Sequence, residues 1–134
     1  MLGLSKEEQL SRSPGNRKKA SAKEVGIEGE KKAISQLCTQ LGRKPGEKDK
    51  RNHQGRAGGG LGVPDITVNG LDGWHIEVKE TGKFSFTEFL KQLAEDCPKN
   101  KRPALIYKGW MLFKVDNLAN LAQDVVLASG MDII

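Results

Sequence analysis

Asp65, Glu77 and Lys79 are the residues of this 134-residue chain whose types and spacing could do chemistry together. Glu77 and Lys79 stand two apart, so a β-strand would set them on one face, roughly 6–7 Å from each other along the chain. Eleven residues separate Asp65 from Glu77, enough for a turn that brings the two carboxylates together on paired strands. Two carboxylates at that distance repel, and a hard divalent cation relieves the repulsion. Mg²⁺ takes a few carboxylate and carbonyl oxygens and keeps several waters. Such an ion polarises a phosphoryl oxygen and lowers the pKa of a bound water. A neighbouring lysine can orient that water or stabilise the charge that builds on the phosphate. The chemistry this spacing allows is therefore hydrolysis of a phosphodiester. Taken alone, the same residues also describe an ordinary charged strand face with a Glu–Lys pair.

The elements that must position these side chains follow from periodicity. Ile66 and Val68 alternate with Asp65 and Thr67, and Ile76 and Val78 alternate with His75, Glu77 and Lys79, which predicts two strands with one apolar face. Asn69-Gly70 and Asp72-Gly73 mark the turn of a hairpin between them. Trp74 alternates to the apolar side with Ile76 and is expected in the core. His75 shares the charged face and is expected to be a partly exposed strand residue. Upstream, from about Glu24, Ala33, Ile34, Leu37, Cys38 and Leu41 trace one helical face, and Gly42 supplies a stop. Cys38 on that face is read as a small core residue. Downstream, Ser85 and Glu88 have capping-box spacing, and Phe84 and Phe89 stand at the positions of a hydrophobic staple. Phe86, Phe89, Leu90, Leu93, Ala94 and Cys97 give that helix an apolar face, and Pro98 ends it. Strands are predicted over Pro103–Tyr107 and Met111–Val115, and then a last helix holding Leu118, Leu121, Ala122 and Val125, with Asp116 as its cap. Residues 43–62 form a basic, glycine-rich connection in which a short strand is expected near His53–Arg56. His53 itself is read as solvent-exposed.

Charge is distributed unevenly. Lys and Arg number 22 and Asp and Glu 17, for a net charge of +5. Residues 1–56 carry 14 bases against 7 acids, and residues 57–134 carry 8 against 10. A basic half of this kind suggests a polyanion, nucleic acid before membrane. Residues 1–23 are rich in Ser, Pro, Gly and bases and hold little to bury, so they are expected to form a disordered arm ahead of a single domain over 24–134. No stretch approaches the ~18 apolar residues of a membrane span, and the start, MLGLSKEEQL, lacks the h-region of a signal peptide. Two cysteines without metal-ligand neighbours exclude a disulfide scaffold and a zinc ribbon. Reduced thiols and a cytoplasmic setting are the expectation.

Pro64-Asp65, eleven residues, then Glu77-Val78-Lys79 resembles the signature of the PD-(D/E)XK nuclease superfamily. The order of a helix before the strands and a helix after them resembles that family's core. The glycines of 59–64 look like the approach to the motif in small phage and archaeal Holliday-junction-resolvase-like members. The resemblance covers about residues 24–110. It implies an α/β fold with a restriction-endonuclease-like core, a central mixed β-sheet flanked by helices. It also implies a Mg²⁺-dependent endodeoxyribonuclease (Mn²⁺ could substitute) acting on branched DNA as a homodimer, in a bacterial, archaeal or phage-infected cell. Other readings on the same fold are a restriction-like or replication and repair nuclease, and a DNA-binding module without catalysis.

Carried over residue by residue, the resemblance makes Asp65 and Glu77 metal ligands, adds the backbone carbonyl of Val78, and makes Lys79 the catalytic lysine. Many members add a carboxylate from the first helix. Glu24, Glu28 and Glu30 are the candidates here. Glu30 precedes Ala33 by three and Ile34 by four and continues the inward stripe, whereas Glu28 points outward with Lys31 and Lys32, so Glu30 is the choice. Gln92 is the corresponding polar candidate on the helix after the motif, with an exposed helix position as its plainer reading. Lys18, Lys19, Arg51 and Arg56 are expected to contact phosphates.

Overall fold

In the computed structural model, residues 21–52, 62–80 and 82–130 are described. The first helix, α1 (Ala22–Gln40), begins two residues before the expected Glu24 because Ser21 caps it. The Ser21 hydroxyl accepts from the Glu24 N–H at 3.1 Å, and the Glu24 carboxylate accepts from the Ser21 N–H at 2.9 Å. This reciprocal pair satisfies two N–H groups that the first turn otherwise leaves open. Leu41 ends the helix, and Gly42 follows at φ +78°, where only glycine sits without strain.

Five strands follow in the order of the chain: β1 (Lys50–Arg51), β2 (Ile66–Thr67), β3 (Trp74–Lys79), β4 (Arg102–Tyr107) and β5 (Trp110–Phe113). The first three pair antiparallel, with Ile66 opposite Ile76. Strand β4 runs parallel to β3, with Glu77 opposite Leu105, and β5 returns antiparallel. A parallel neighbour needs a crossover, which α2 (Phe86–Asp96) supplies. A 3₁₀ turn (Val115–Asn117) leads into α3 (Leu118–Ser129). The protein is thus α/β, with a five-stranded mixed sheet and three helices.

Helices lie on both faces. Ala33, Ile34, Cys38 and Leu41 of α1 and Leu121 and Val125 of α3 pack with Ile66, Trp74, Ile76, Ala104 and Ile106 in the main core. Trp74 is buried there as expected, and its indole N–H donates to Asp124 at 2.8 Å. The opposite face, carrying His75, Glu77 and Leu105, is covered by α2 through Leu93 and Phe89. Cys38 is fully buried in the core.

Several expectations need correction. The strand expected near His53–Arg56 lies outside the described residues; a short strand does form just upstream, at Lys50–Arg51. Asp116 does not cap the last helix: it falls inside the 3₁₀ turn, and Asn117 stands at the N-cap without a side-chain bond. On α2, Ser85 accepts from the Glu88 N–H and Phe84 meets Phe89 with ring centroids 5.4 Å apart, but of the expected apolar face only Leu93 is fully buried; Phe86 and Leu90 remain over a third exposed. That helix spans the sheet's charged side, so its outer apolar residues have less hydrocarbon to meet.

Candidate functional site

Asp65 is held at the start of β2 by backbone bonds in both directions: its N–H donates to Ile76 C=O at 3.0 Å and its C=O accepts from Asn52 N–H at 2.9 Å. The Asn52 side chain secures the same segment, donating to Pro64 C=O at 3.0 Å and to the Thr67 hydroxyl at 2.9 Å. So fixed, the Asp65 carboxylate accepts from the backbone N–H of Val78 at 2.8 Å. The side chain thereby stands where the next residue of a longer β2 would have paired. A residue's N–H and C=O leave a strand on the same edge, so the Val78 carbonyl opens toward Asp65 too.

Glu77 follows on β3, its side chain largely buried at 21% exposure and hydrogen-bonded to Asp65. Its pKa is pushed up to about 9, first by burial, then by the bond to Asp65 and that group's charge, with smaller pushes from Asp96 and Glu30. Two carboxylates that share a site cannot both ionise cheaply. On its other side Glu77 meets His75, whose Nε2 lies 2.9 Å from Glu77 Oε2. His75 is 2% exposed, which corrects the expectation of a partly exposed residue: α2 covers this end of the sheet. Burial pulls its pKa down. His75, Glu77, Gln92 and Asp96 line a small cavity of about 120 Å³ between β3 and α2. Gln92 is exposed at the surface of α2 and donates to Asp96 at 3.0 Å.

Glu30 faces inward from α1, its side chain 17% exposed, and accepts from Arg51 Nε at 2.8 Å. The approach of α1 to the end of β3 depends on Gly29, where an added Cβ would sit 2.9 Å from the Glu80 Cβ. Glu28 is on the outer side, 75% exposed, with Lys31 at 3.8 Å. Glu24 is consumed by the cap. Lys79 ends β3 with its ammonium over the Phe84 and Phe89 rings, 5.2 and 5.7 Å from their centroids. It forms no ion pair with a described carboxylate.

The structure thus brings Asp65, Val78 and Glu77 into direct contact and places Glu30 within electrostatic reach. Arg51 Nε is bonded to Glu30, which ties this member of the basic run to the first helix. Lys18, Lys19 and Arg56 lie outside the described residues. Sequence reasoning missed Asn52, whose only advance signal was its place in a polar run, and His75, whose burial depends on a helix that follows it in the chain.

Among the described residues, no three His, Cys, Asp or Glu side chains form a ready-made metal cage. The donors present still suit a hard cation, because Mg²⁺ binds through one or two carboxylates and keeps its waters. Glu77, neutral at pH 7 beside Asp65, is a carboxyl that a divalent charge would ionise. No helix among the described residues is long and apolar enough to cross a membrane. Compared with known proteins, the chain matches no family model, no curated protein and no solved structure.

Proposed function

We propose that this protein is a divalent-metal-dependent endodeoxyribonuclease with a restriction-endonuclease-like core, acting on branched DNA as a homodimer. The observation that carries the reading is the Asp65–Glu77 contact: two carboxylates on neighbouring strands, hydrogen-bonded to each other, with Glu77 held neutral by its surroundings. Lys79, on the same strand as Glu77, rests its ammonium on aromatic rings. The order of a helix, three antiparallel strands, a crossover helix and a parallel strand supports the same reading.

Asp65, Glu77 and the Val78 carbonyl are the groups that would hold Mg²⁺ or Mn²⁺. When bound, the ion polarises the phosphoryl oxygen and supplies a water of lowered pKa. The chain's own residues do the rest. Asp65, locked by the Val78 N–H and by Asn52's grip on the preceding peptide, keeps its carboxylate plane fixed. Glu77 would release its proton to solvent if a divalent ion bound beside it. Lys79 stands at the end of the same strand, where its side chain can orient a water or meet charge developing on the phosphate. Phe84 and Phe89 limit where that ammonium can go.

The test is incubation of the purified protein with labelled four-way junction, flap, linear duplex and single strand, with Mg²⁺ and with EDTA. Cleavage of branched substrates in Mg²⁺ alone is expected. Cleavage that persists in EDTA, or no cleavage of any DNA, overturns the reading.

A further inference from the structure

We infer that His75 is the positioning residue for Glu77: its Nε2–H donates to Glu77 Oε2 and fixes which carboxyl oxygen is left to work beside Asp65. The inference rests on the reading of Asp65 and Glu77 as the reactive pair. Taken as a whole residue, His75 is the only polar one buried among the described residues. A buried polar side chain is expensive unless its bonds are made, yet only one of its nitrogens is partnered. Nε2 meets Glu77 Oε2 at 2.9 Å, and Nδ1 finds no hydrogen-bond partner among the described residues.

That asymmetry selects the tautomer. With the proton on Nε2, the ring donates to the carboxyl and leaves a lone pair at Nδ1. With the proton on Nδ1, a donor is buried unsatisfied and the Nε2 lone pair faces a carboxyl oxygen. Orphaned buried donors are rarer than under-used acceptors, so the Nε2–H form is the one this geometry holds. Burial, which disfavours the imidazolium, agrees. Glu77 is then gripped on two sides, by His75 and by Asp65. A leucine would fill the same space without leaving a polar atom unsatisfied, so packing alone does not call for a histidine here.

Imidazole ¹H–¹⁵N spectra of the full chain test this directly, with the resonances of the two histidines assigned through His53→Gln. The expected result is an Nε2–H tautomer with a slowly exchanging proton at His75, whose exchange accelerates in Glu77→Ala. His75→Leu should melt within a few degrees of wild type and cut DNA roughly 10–100-fold more slowly, the range typical of residues that orient metal ligands. His75→Gln, which can place an N–H donor near the same point, should recover most of that loss. An Nδ1–H tautomer or an imidazolium at neutral pH overturns the inference, as does a His75→Leu protein that cuts at the wild-type rate while Glu77→Gln does not cut. If the wild type cuts no DNA, the nuclease reading falls, and the spectrum alone then decides whether His75 holds Glu77.

Discussion

Two buried carboxylate sites in this protein have opposite surroundings. Asp49, in the loop after α1, is 1% exposed at its side chain and surrounded by donors: Arg43 Nη2 at 2.9 Å, Gly46 N–H at 2.7 Å and Asn69 N–H at 2.8 Å. The Arg43 guanidinium, bonded to it directly, holds its pKa well below the usual carboxylate range. Glu77 is also largely buried, but it faces Asp65, Asp96 and Glu30, and its pKa moves up. One site has every lone pair answered and ties the 43–49 loop to the turn at Asn69. The other gathers carboxyl groups around one of their own kind. A satisfied carboxylate contributes to stability and leaves nothing for a ligand to improve. A carboxylate pressed against its own kind costs stability and gives a cation something to gain.

The sharpest break between the two sites is catalytic. Asp65→Asn or Glu77→Gln should lower cleavage of junction DNA by roughly a thousandfold or more, about 4 kcal/mol of transition-state stabilisation. Neither should lower the melting temperature by more than a few degrees, because each keeps the side chain's volume and one carbonyl oxygen as an acceptor. Near-normal rates in both variants would remove the hairpin acids from the centre. Asp49→Asn should do the reverse. Removing one partner of a buried pair costs about 3 kcal/mol, read as a fall of ~10 °C in Tm for a domain of this size, with cleavage per folded molecule unchanged. A catalytic defect in Asp49→Asn at a temperature where it is fully folded would join the two sites that the structure separates.

The contrast also explains what could be read from residue order and what could not. The hairpin, α2 and the core face of α1 follow from periodicity, and Asp65, Glu77 and Lys79 from spacing on that hairpin. The Ser21–Glu24 box was readable too, as a Ser with a Glu three residues on ahead of an apolar run. Asp49 was not: it sits in GEKDKR, where every neighbour is polar and nothing marks one acid as buried. Its environment comes from Arg43 before it and Asn69 twenty residues after it. The Arg51–Glu30 bond was not legible for the same reason. A base in a basic run looks free until a helix places Glu30 beside it. His75 shows the limit on the other side: alternation gave its face correctly, but whether that face is wet depends on α2.

Stability against pH sharpens the comparison, because the two shifts have opposite signs. Asp49, with a depressed folded pKa, contributes stability that is present above the ordinary carboxylate pKa and is lost as pH falls below it. Glu77, with a raised folded pKa, contributes stability that is full below the ordinary value and is lost as pH rises through about 9. Between those limits the native state binds a proton that the unfolded chain has released. Urea unfolding without divalent ions should therefore show stability declining from pH 5 to pH 9 in wild type. The decline should be absent in Glu77→Gln and weakened by millimolar Mn²⁺, which favours the ionised form. An identical alkaline decline in Glu77→Gln would mean that another group carries it. The acid-side loss should survive in Glu77→Gln and disappear in Asp49→Asn.

The smallest expected effect concerns how Glu30 joins the charged site. Glu30 and Arg51 form a partly buried pair, 17% and 25% exposed, so Glu30→Gln and Arg51→Gln should each cost about 1 kcal/mol of stability. Their effects on Glu77 should differ. Glu30's charge is one of those that push the Glu77 pKa up, so removing it should move the alkaline transition to lower pH. Arg51→Gln leaves that charge in place without its counter-ion and should move the transition to higher pH. A purely structural ion pair would give two variants alike in both measurements. Glu28→Gln is the control: its contact with Lys31 is long and open to solvent, so its stability should change by less than ~0.5 kcal/mol and its transition should not move. If Glu30→Gln also slows cleavage while Glu28→Gln does not, the first helix contributes an acid to the centre. Shifts of the same sign in Glu30→Gln and Arg51→Gln would confine Glu30 to holding β1 against α1, leaving Asp65, Glu77 and Lys79 as the whole reactive set.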